Sequence, residues 1–201
     1  MTSLLRLDRH GRSVVLDAGV LAPGARVIPY SYIGPEVTWP IYRSGTIGRA
    51  KEDLENTTVA LDKRLQEAVG GNCWVSVNKA VVTQASAAIP AVPLYVSLLY
   101  KAMKDRGLHE EPIHQIVRMM RDHTGPGISP VLDDNGRIRL DDWEMRADVQ
   151  QEVAKRWIEV TTENLGDLSD FAGFRADFRR LFGFEVDGID YDQAVETEVA
   201  I

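Results

Sequence analysis

The sequence predicts an α/β unit with a helical C-terminal extension, and three observations predict it. A β-branched and aromatic run, Arg26 to Ile33, precedes a long amphipathic pattern, and a short apolar run, Asn72 to Asn78, follows. Strand, helix, strand in that order makes a βαβ unit with parallel strands and a right-handed crossover. Beyond residue 111 the apolar periodicity is mostly helical. With 44% hydrophobic and 26% charged residues over 201 positions, the chain is globular in composition and long enough for one full core.

Taken in order, the first strand carries one blemish, Pro29, which suits a strand start or an edge. It stops at Gly34-Pro35, and a Pro-rich loop runs to Pro40. A helix is expected from about Ser44 to Val69, with Ile47, Leu54, Leu61 and Leu65 on one face. Gly70-Gly71 should end it. Asn72 to Asn78 reads as a buried parallel strand. Small residues and prolines then lead into Leu94 to Tyr100, which its pattern alone marks as a buried core helix. A helix is expected from about Glu111 to Asp122, and a loop over Gly125 to Pro130. Val131 to Leu140 is expected to form a small hairpin about the turn Asp133-Asp-Asn-Gly136. Asp141-Asp142 should cap a helix reaching Val160. A short helix is expected to start at Thr161-Thr162-Glu163. The last runs from Asp170 to Phe182, with Phe171, Phe174, Phe178 and Phe182 spaced for core packing.

Charge and cysteine usage narrow the function. A formal net charge of −7 argues against general nucleic-acid binding. The single cysteine, Cys73, cannot form an internal disulfide, which suits a reducing cytoplasm. No apolar run approaches the roughly 20 residues of a membrane span, so no membrane partner is expected. The N-terminal stretch mixes charges among its apolar residues, unlike a secretory leader. His109 and His114 are five apart and flank Pro112, so they read as helix-start residues and no metal site is expected.

Tyr42 and Lys51, with eight residues between them, are the candidates for chemistry. Tyr42 precedes the long helix and Lys51 lies about two turns into it, near the C-terminal edge of the preceding strand, where open α/β sheets bind ligands. A phenol can hydrogen-bond an oxygen on which negative charge develops. A nearby ammonium lowers the pKa of that phenol and can hold ribose hydroxyls. By spacing alone the pair is a common coincidence. Tyr30 and Tyr32 share one strand face and are equally ambiguous.

The stretch Tyr30-Ser-Tyr-Ile-Gly-Pro-Glu-Val-Thr-Trp-Pro-Ile-Tyr-Arg-Ser-Gly-Thr-Ile-Gly-Arg-Ala-Lys51 resembles the signature of the trans-2-enoyl-CoA reductase family, also called FabV-type enoyl-acyl-carrier-protein reductases. The likeness continues through Val75 to Tyr95, Gly136 to Arg146, Thr161 to Leu165 and Asp170 to Gly183. It implies a partial Rossmann-like sheet, similar to short-chain dehydrogenases/reductases. The implied activity is NADH-dependent reduction of the 2,3-double bond of enoyl-CoA or enoyl-acyl-carrier-protein thioesters in fatty acid biosynthesis. By resemblance Tyr42 is the proton donor, Lys51 holds the cofactor, and Tyr32 contacts substrate. Ala80, Val81 and Val82 fall where the family binds the nicotinamide end, through backbone groups, with Thr83 beside them. The apolar helix after Ile89 becomes a lid over the acyl chain.

Family members are about twice as long, usually monomeric, and carry a Gly-rich phosphate turn that this sequence lacks. The expected organisation is an atypical start over residues 1–16, a catalytic and substrate half over 17–192, and an acidic tail over 193–201. A truncated product is expected on this reading, with exposed apolar sheet faces, an unpaired strand edge and a tendency to self-associate. The alternative is a catalytically silent fragment or an interaction module.

Overall fold

The computed structural model describes residues 14–89 and 91–196, so most of the segment expected to be atypical and the end of the acidic tail lie outside the described residues. Its elements are α1 (Val14–Asp17), β1 (Arg26–Val27), β2 (Tyr30–Ser31), α2 (Trp39–Tyr42), α3 (Thr46–Val69), β3 (Asn72–Cys73), β4 (Ser76–Val77), α4 (Gln84–Ala88), α5 (Val92–Lys104), α6 (Pro112–Met119), β5 (Ile138–Arg139), α7 (Ala147–Glu159), α8 (Leu165–Leu168) and α9 (Phe171–Arg180). They fall into two compact units, Met1–Ala80 with Leu108–Gln151, and Val81–Gly107 with Glu152–Ile201.

The first unit is built on parallel pairing. β1 pairs with β3, β2 pairs with β4, and β4 pairs with β5, all parallel. The run expected as one strand is thus recorded as two pieces flanking Pro29. Proline has no N–H to donate, so the ladder loses a bond there. The opposite set survives: the amides of Asn72, Trp74, Ser76 and Asn78 donate to the carbonyls of Ala25, Val27, Pro29 and Ser31 at 2.9–3.1 Å. One continuous chain direction is therefore kept across the break.

Alternation then assigns the two sheet faces. Val27 and Cys73 join Leu61 and Leu65 of α3, with Leu16, Leu21 and Val69 packed around them. Ile28 and Trp74 join Met119 of α6, with Ile138 and Leu140. Helices cover both faces, as parallel sheets require. The expectation of exposed apolar faces is not met for β3, β4 and β5, since Cys73, Val77 and Ile138 are buried. Tyr30, on the outer strand, is exposed.

Two expectations in this unit are corrected. Val131 to Leu140 does not form a two-stranded hairpin. The turn exists, closed by the Asp133 amide donating to the Arg137 carbonyl at 2.9 Å, but Ile138 and Leu140 donate to Val75 and Val77 at 2.9 Å instead of to a local partner. The edge of β4 offers buried acceptors, which outweigh a short local ladder. Nor does Asp141 cap a helix. Both carboxylate oxygens of Asp141 accept from Arg139 at 2.7 Å, and α7 begins only at Ala147.

Helix α3 ends as expected, with Gly70 left-handed at φ 64°. At its other end Gly48 sits against the preceding turn: a Cβ there would lie 1.9 Å from the Arg43 carbonyl oxygen. This close approach seats the chain at Tyr42–Arg43 on the first turns of α3. Gly48→Ala is expected to destabilise the fold by about 1–3 kcal/mol through overpacking, read as a lowered midpoint in denaturant.

The second unit is helical. Asp170 donates its amide to the Ser97 carbonyl at 2.9 Å, and its carboxylate accepts from Lys104 at 2.5 Å, which fixes the start of α9 on α5. In α5, Val92, Tyr95, Val96, Leu98, Leu99, Tyr100, Ala102 and Met103 are all buried, so its pattern is that of a core helix. The phenylalanine stripe is only partly core: Phe174 is buried, whereas Phe171 and Phe182 are 37% and 51% exposed. Alanines, Ile89, Pro93 and Leu94 of the α4–α5 region, with Leu165 and Phe171, line an apolar cleft of about 360 Å³.

Candidate active site

The end of β2, the turn before α3 and the second turn of α3 converge. Tyr32 and Tyr42 meet edge to face, with ring centroids 4.9 Å apart and an interplanar angle of 85°. The Lys51 ammonium lies 4.6 Å from the Tyr42 ring centroid and 5.3 Å from that of Tyr32. Its nitrogen is buried and, among the described residues, makes no hydrogen bond. Two ring faces attract a cation but do not replace hydrogen bonds, so this is an ammonium with donors to offer a ligand.

The loop leading out of Tyr32 folds back close to that side chain. Gly34 is left-handed at φ 70°, and a Cβ there would come within 2.5 Å of the Tyr32 hydroxyl. The Trp39 indole donates to the Gly34 carbonyl at 3.1 Å, and Thr38 donates to Pro35 at 2.9 Å. Tyr30 stands outside the cluster, which separates two tyrosines that the sequence left equivalent.

Residues that sequence reasoning missed complete the floor. Glu144 is fully buried; it accepts the Tyr32 hydroxyl at 2.9 Å on Oε1 and the Ala80 amide at 2.7 Å on Oε2. Lys79, also buried, donates to the Ala80 carbonyl at 2.8 Å, and its amide donates to Gln115 at 2.9 Å. The segment bearing Glu144 is held by Gln150 on the Glu144 carbonyl at 2.7 Å. Upstream, Arg118 donates to the Leu140 carbonyl at 2.7 Å and to the Asp142 carboxylate at 2.8 Å. A charged residue placed two before an Arg in a helix-start pattern carries no sequence sign of this burial.

Burial also sets the electrostatics. The Tyr42 phenol is pushed up from its ordinary value, first by desolvation and then by the Glu144 charge. The sequence-based expectation that Lys51 would lower it is therefore corrected: partial burial and a carboxylate prevail. Lys51 is itself pulled down to about 8 by desolvation, opposed in part by Glu55. A neutral phenol and a readily titrated ammonium thus lie side by side.

The four positions expected to hold the nicotinamide differ in what they have left to offer. Both main-chain groups of Ala80 are engaged, by Glu144 and Lys79. Val82 is buried, and among the described residues no hydrogen bond engages its main-chain groups. Thr83 caps α4: its hydroxyl accepts from the Ser86 amide at 3.0 Å, and its amide donates to the Ser86 hydroxyl at 2.8 Å. Ala80 belongs to the first unit, and Val81, Val82 and Thr83 belong to the second.

Comparison with known proteins gives a consistent picture. A family model described as the trans-2-enoyl-CoA reductase catalytic region matches residues 13–124, and another, described as an enoyl reductase FAD binding domain, matches residues 132–195. The chain is 54% identical over 183 residues to a trans-2-enoyl-CoA reductase of Euglena gracilis, covering 90% of this chain and 33% of the relative. It is 52% identical over 183 residues to an enoyl-acyl-carrier-protein reductase (NADH) of Opitutus terrae, covering 91% and 46%. A solved structure of Clostridium acetobutulicum trans-2-enoyl-CoA reductase in complex with NAD superposes with a TM-score of 0.86 at 45% identity, over 90% of this chain and 47% of that one. The chain thus spans less than half the length of these relatives.

Proposed function

The chain belongs to the trans-2-enoyl-CoA reductase family, and from that membership we propose that it carries the catalytic half of an NADH-dependent enoyl-thioester reductase. The observation that carries the proposal is the buried Lys51 ammonium, without a hydrogen-bond partner among the described residues and 4.6 Å from the Tyr42 ring centroid. Such a group fits the ribose hydroxyls of a nicotinamide cofactor. NADH rather than FAD is assigned because the relatives are named for NADH and the solved neighbour holds NAD.

Bound NADH supplies the hydride for the β-carbon of the enoyl thioester. Tyr42 Oη donates a hydrogen bond to the thioester carbonyl oxygen, where negative charge accumulates, and can pass its proton there. Because the phenol is held above its ordinary pKa, it keeps that proton at neutral pH. Lys51 Nζ orients the cofactor and offsets negative charge beside the phenol. Tyr32 meets substrate alongside Tyr42. The substrate's carrier is coenzyme A or acyl-carrier protein; within the second unit, the apolar cleft beside α4 and α5 has a lining suited to an acyl chain.

On this reading the parallel strands form part of a Rossmann-like sheet. Residues 17–192 form the catalytic and substrate half, and residues 193–201 form a tail. The setting is a reducing cytoplasm. No membrane or nucleic-acid partner is proposed; among the described residues no helix is long and apolar enough to cross a membrane. A second reading, an interaction module that self-associates without turnover, is favoured by the exposed Phe182, Phe184, Ile189 and Tyr191.

The test is NADH oxidation with crotonyl-CoA, using the purified chain alone and supplemented with the portion of a relative that this chain does not span. Crotonyl-CoA-dependent oxidation in either format is expected. Its absence from both would move the assignment to the interaction module.

A further inference from the structure

Glu144 lies 112 residues from Tyr32 in the sequence, yet the two share a 2.9 Å hydrogen bond. A buried carboxylate is costly unless its oxygens are matched with donors. Here each oxygen has one, from different parts of the first unit: the Tyr32 hydroxyl on Oε1, and the Ala80 amide at 2.7 Å on Oε2. A phenol has one proton. With that proton directed to Glu144, Tyr32 can face a ligand only with its ring and an oxygen lone pair. Its ring remains edge-on to Tyr42, and the lack of a Cβ at Gly34, which would lie 2.5 Å from the Tyr32 hydroxyl, leaves space for that placement.

We propose that Glu144 is a positioning residue that acts through Tyr32: by taking the Tyr32 proton and the Ala80 amide together, it leaves Tyr42 as the single phenol of the cluster able to donate to a ligand oxygen. The proposal rests on Tyr42 being the proton donor. It explains why two tyrosines in contact do not compete for one substrate oxygen. It also joins the Tyr32–Tyr42 pair to the chain at Ala80, which leads into the segment assigned to the cofactor.

Glu144→Gln tests it because an amide has one acceptor end and one donor end. The Ala80 N–H is main chain and cannot turn, so the glutamine oxygen faces it and the NH₂ faces Tyr32. Tyr32 must then accept, and its own proton turns to the pocket as a rival to Tyr42. Turnover is expected to fall about 10²-fold, chiefly in kcat. Adding Tyr32→Phe removes the rival and is expected to recover about tenfold of that loss. A purely structural role for Glu144 makes the double variant no better than Glu144→Gln, and that result overturns the proposal.

A second readout needs no turnover. The groups facing Tyr42 are Glu144, the Lys51 ammonium and Tyr32, with Glu55 beyond Lys51. In the chain labelled at tyrosine ring carbons, NMR titration of Tyr42 is expected at lower pH in Glu144→Gln than in the wild type. An unchanged titration overturns the proposal. If the reductase reading alone is wrong, the wild type lacks turnover while the titration shift persists. If Glu144→Gln does not fold, the wild type decides: a low-field hydroxyl proton lost in Tyr32→Phe supports the proposal, and its absence from the wild type overturns it.

Discussion

Tyr42→Phe is expected to lower enoyl-thioester reduction by about 10²- to 10⁴-fold, the range typical for loss of a positioned general acid. The variant removes one oxygen and keeps the ring. The edge-to-face contact with Tyr32 and the cation–π contact with Lys51 are contacts of that ring, so packing is retained. The effect should therefore appear in kcat, with the Km for NADH and the denaturation midpoint little changed. Steady-state kinetics with crotonyl-CoA, in whichever format gives wild-type turnover, measures it. Full activity in Tyr42→Phe would mean that another group supplies the proton, and the assignment would fail.

Lys51→Ala is expected to lower kcat/KM by about 10²-fold, mainly through weaker binding and misplacement of NADH. Alanine removes a buried donor that no group among the described residues satisfies. pH gives a second signature. The Lys51 ammonium titrates at about 8, depressed from 10.5 chiefly by burial. Wild-type affinity for NADH should therefore fall as pH rises through about 8, and the alanine variant should lack that step. Fluorescence titration of NADH across pH reads both.

The linkage sign for stability follows from the same shift. A lysine whose folded pKa is lowered binds its proton more weakly when folded. The penalty is fully present below about pH 8 and is relieved as pH rises toward 10.5, where the unfolded lysine also loses its proton. Relative to Lys51→Ala, the wild type should gain stability across that window. A constant difference from pH 7 to pH 11 would show that the ammonium is solvated, and the buried-donor argument for the cofactor would go with it.

Much of the local structure is written in neighbouring residues. The apolar spacing of Leu61 and Leu65, together with Gly70, marked the buried face and the end of α3. The β-branched run from Arg26 to Ile33 read as one strand, which the structure divides on either side of Pro29. The interval from Tyr42 to Lys51 placed a phenol and an ammonium near one strand end, and the long motif around them identified the family. These features depend on dihedral preference and on side-chain periods of two or about 3.6 residues, so a short stretch of chain encodes them.

Other features depended on what the folded chain brings together. The turn at Asp133–Gly136 was legible, but the amides of Ile138 and Leu140 donate to Val75 and Val77 because the edge of β4 presents buried acceptors there. Asp141 had the look of a helix cap until Arg139 was placed beside it. The phenylalanines of α9 had core spacing, yet burial depends on neighbours, and only Phe174 obtained them fully. Glu144 is the largest case. Nothing about an acidic residue between Trp143 and Met145 says that its carboxylate is withdrawn from water to hold Tyr32 and Ala80. The sequence alone determined the long helix α3 with its Gly70 end, the buried helix α5, the family and the spacing of Tyr42 and Lys51. The tertiary structure alone decided that Tyr32 donates its proton to Glu144, because desolvation and hydrogen-bond matching act between groups far apart in the chain and leave no period in it.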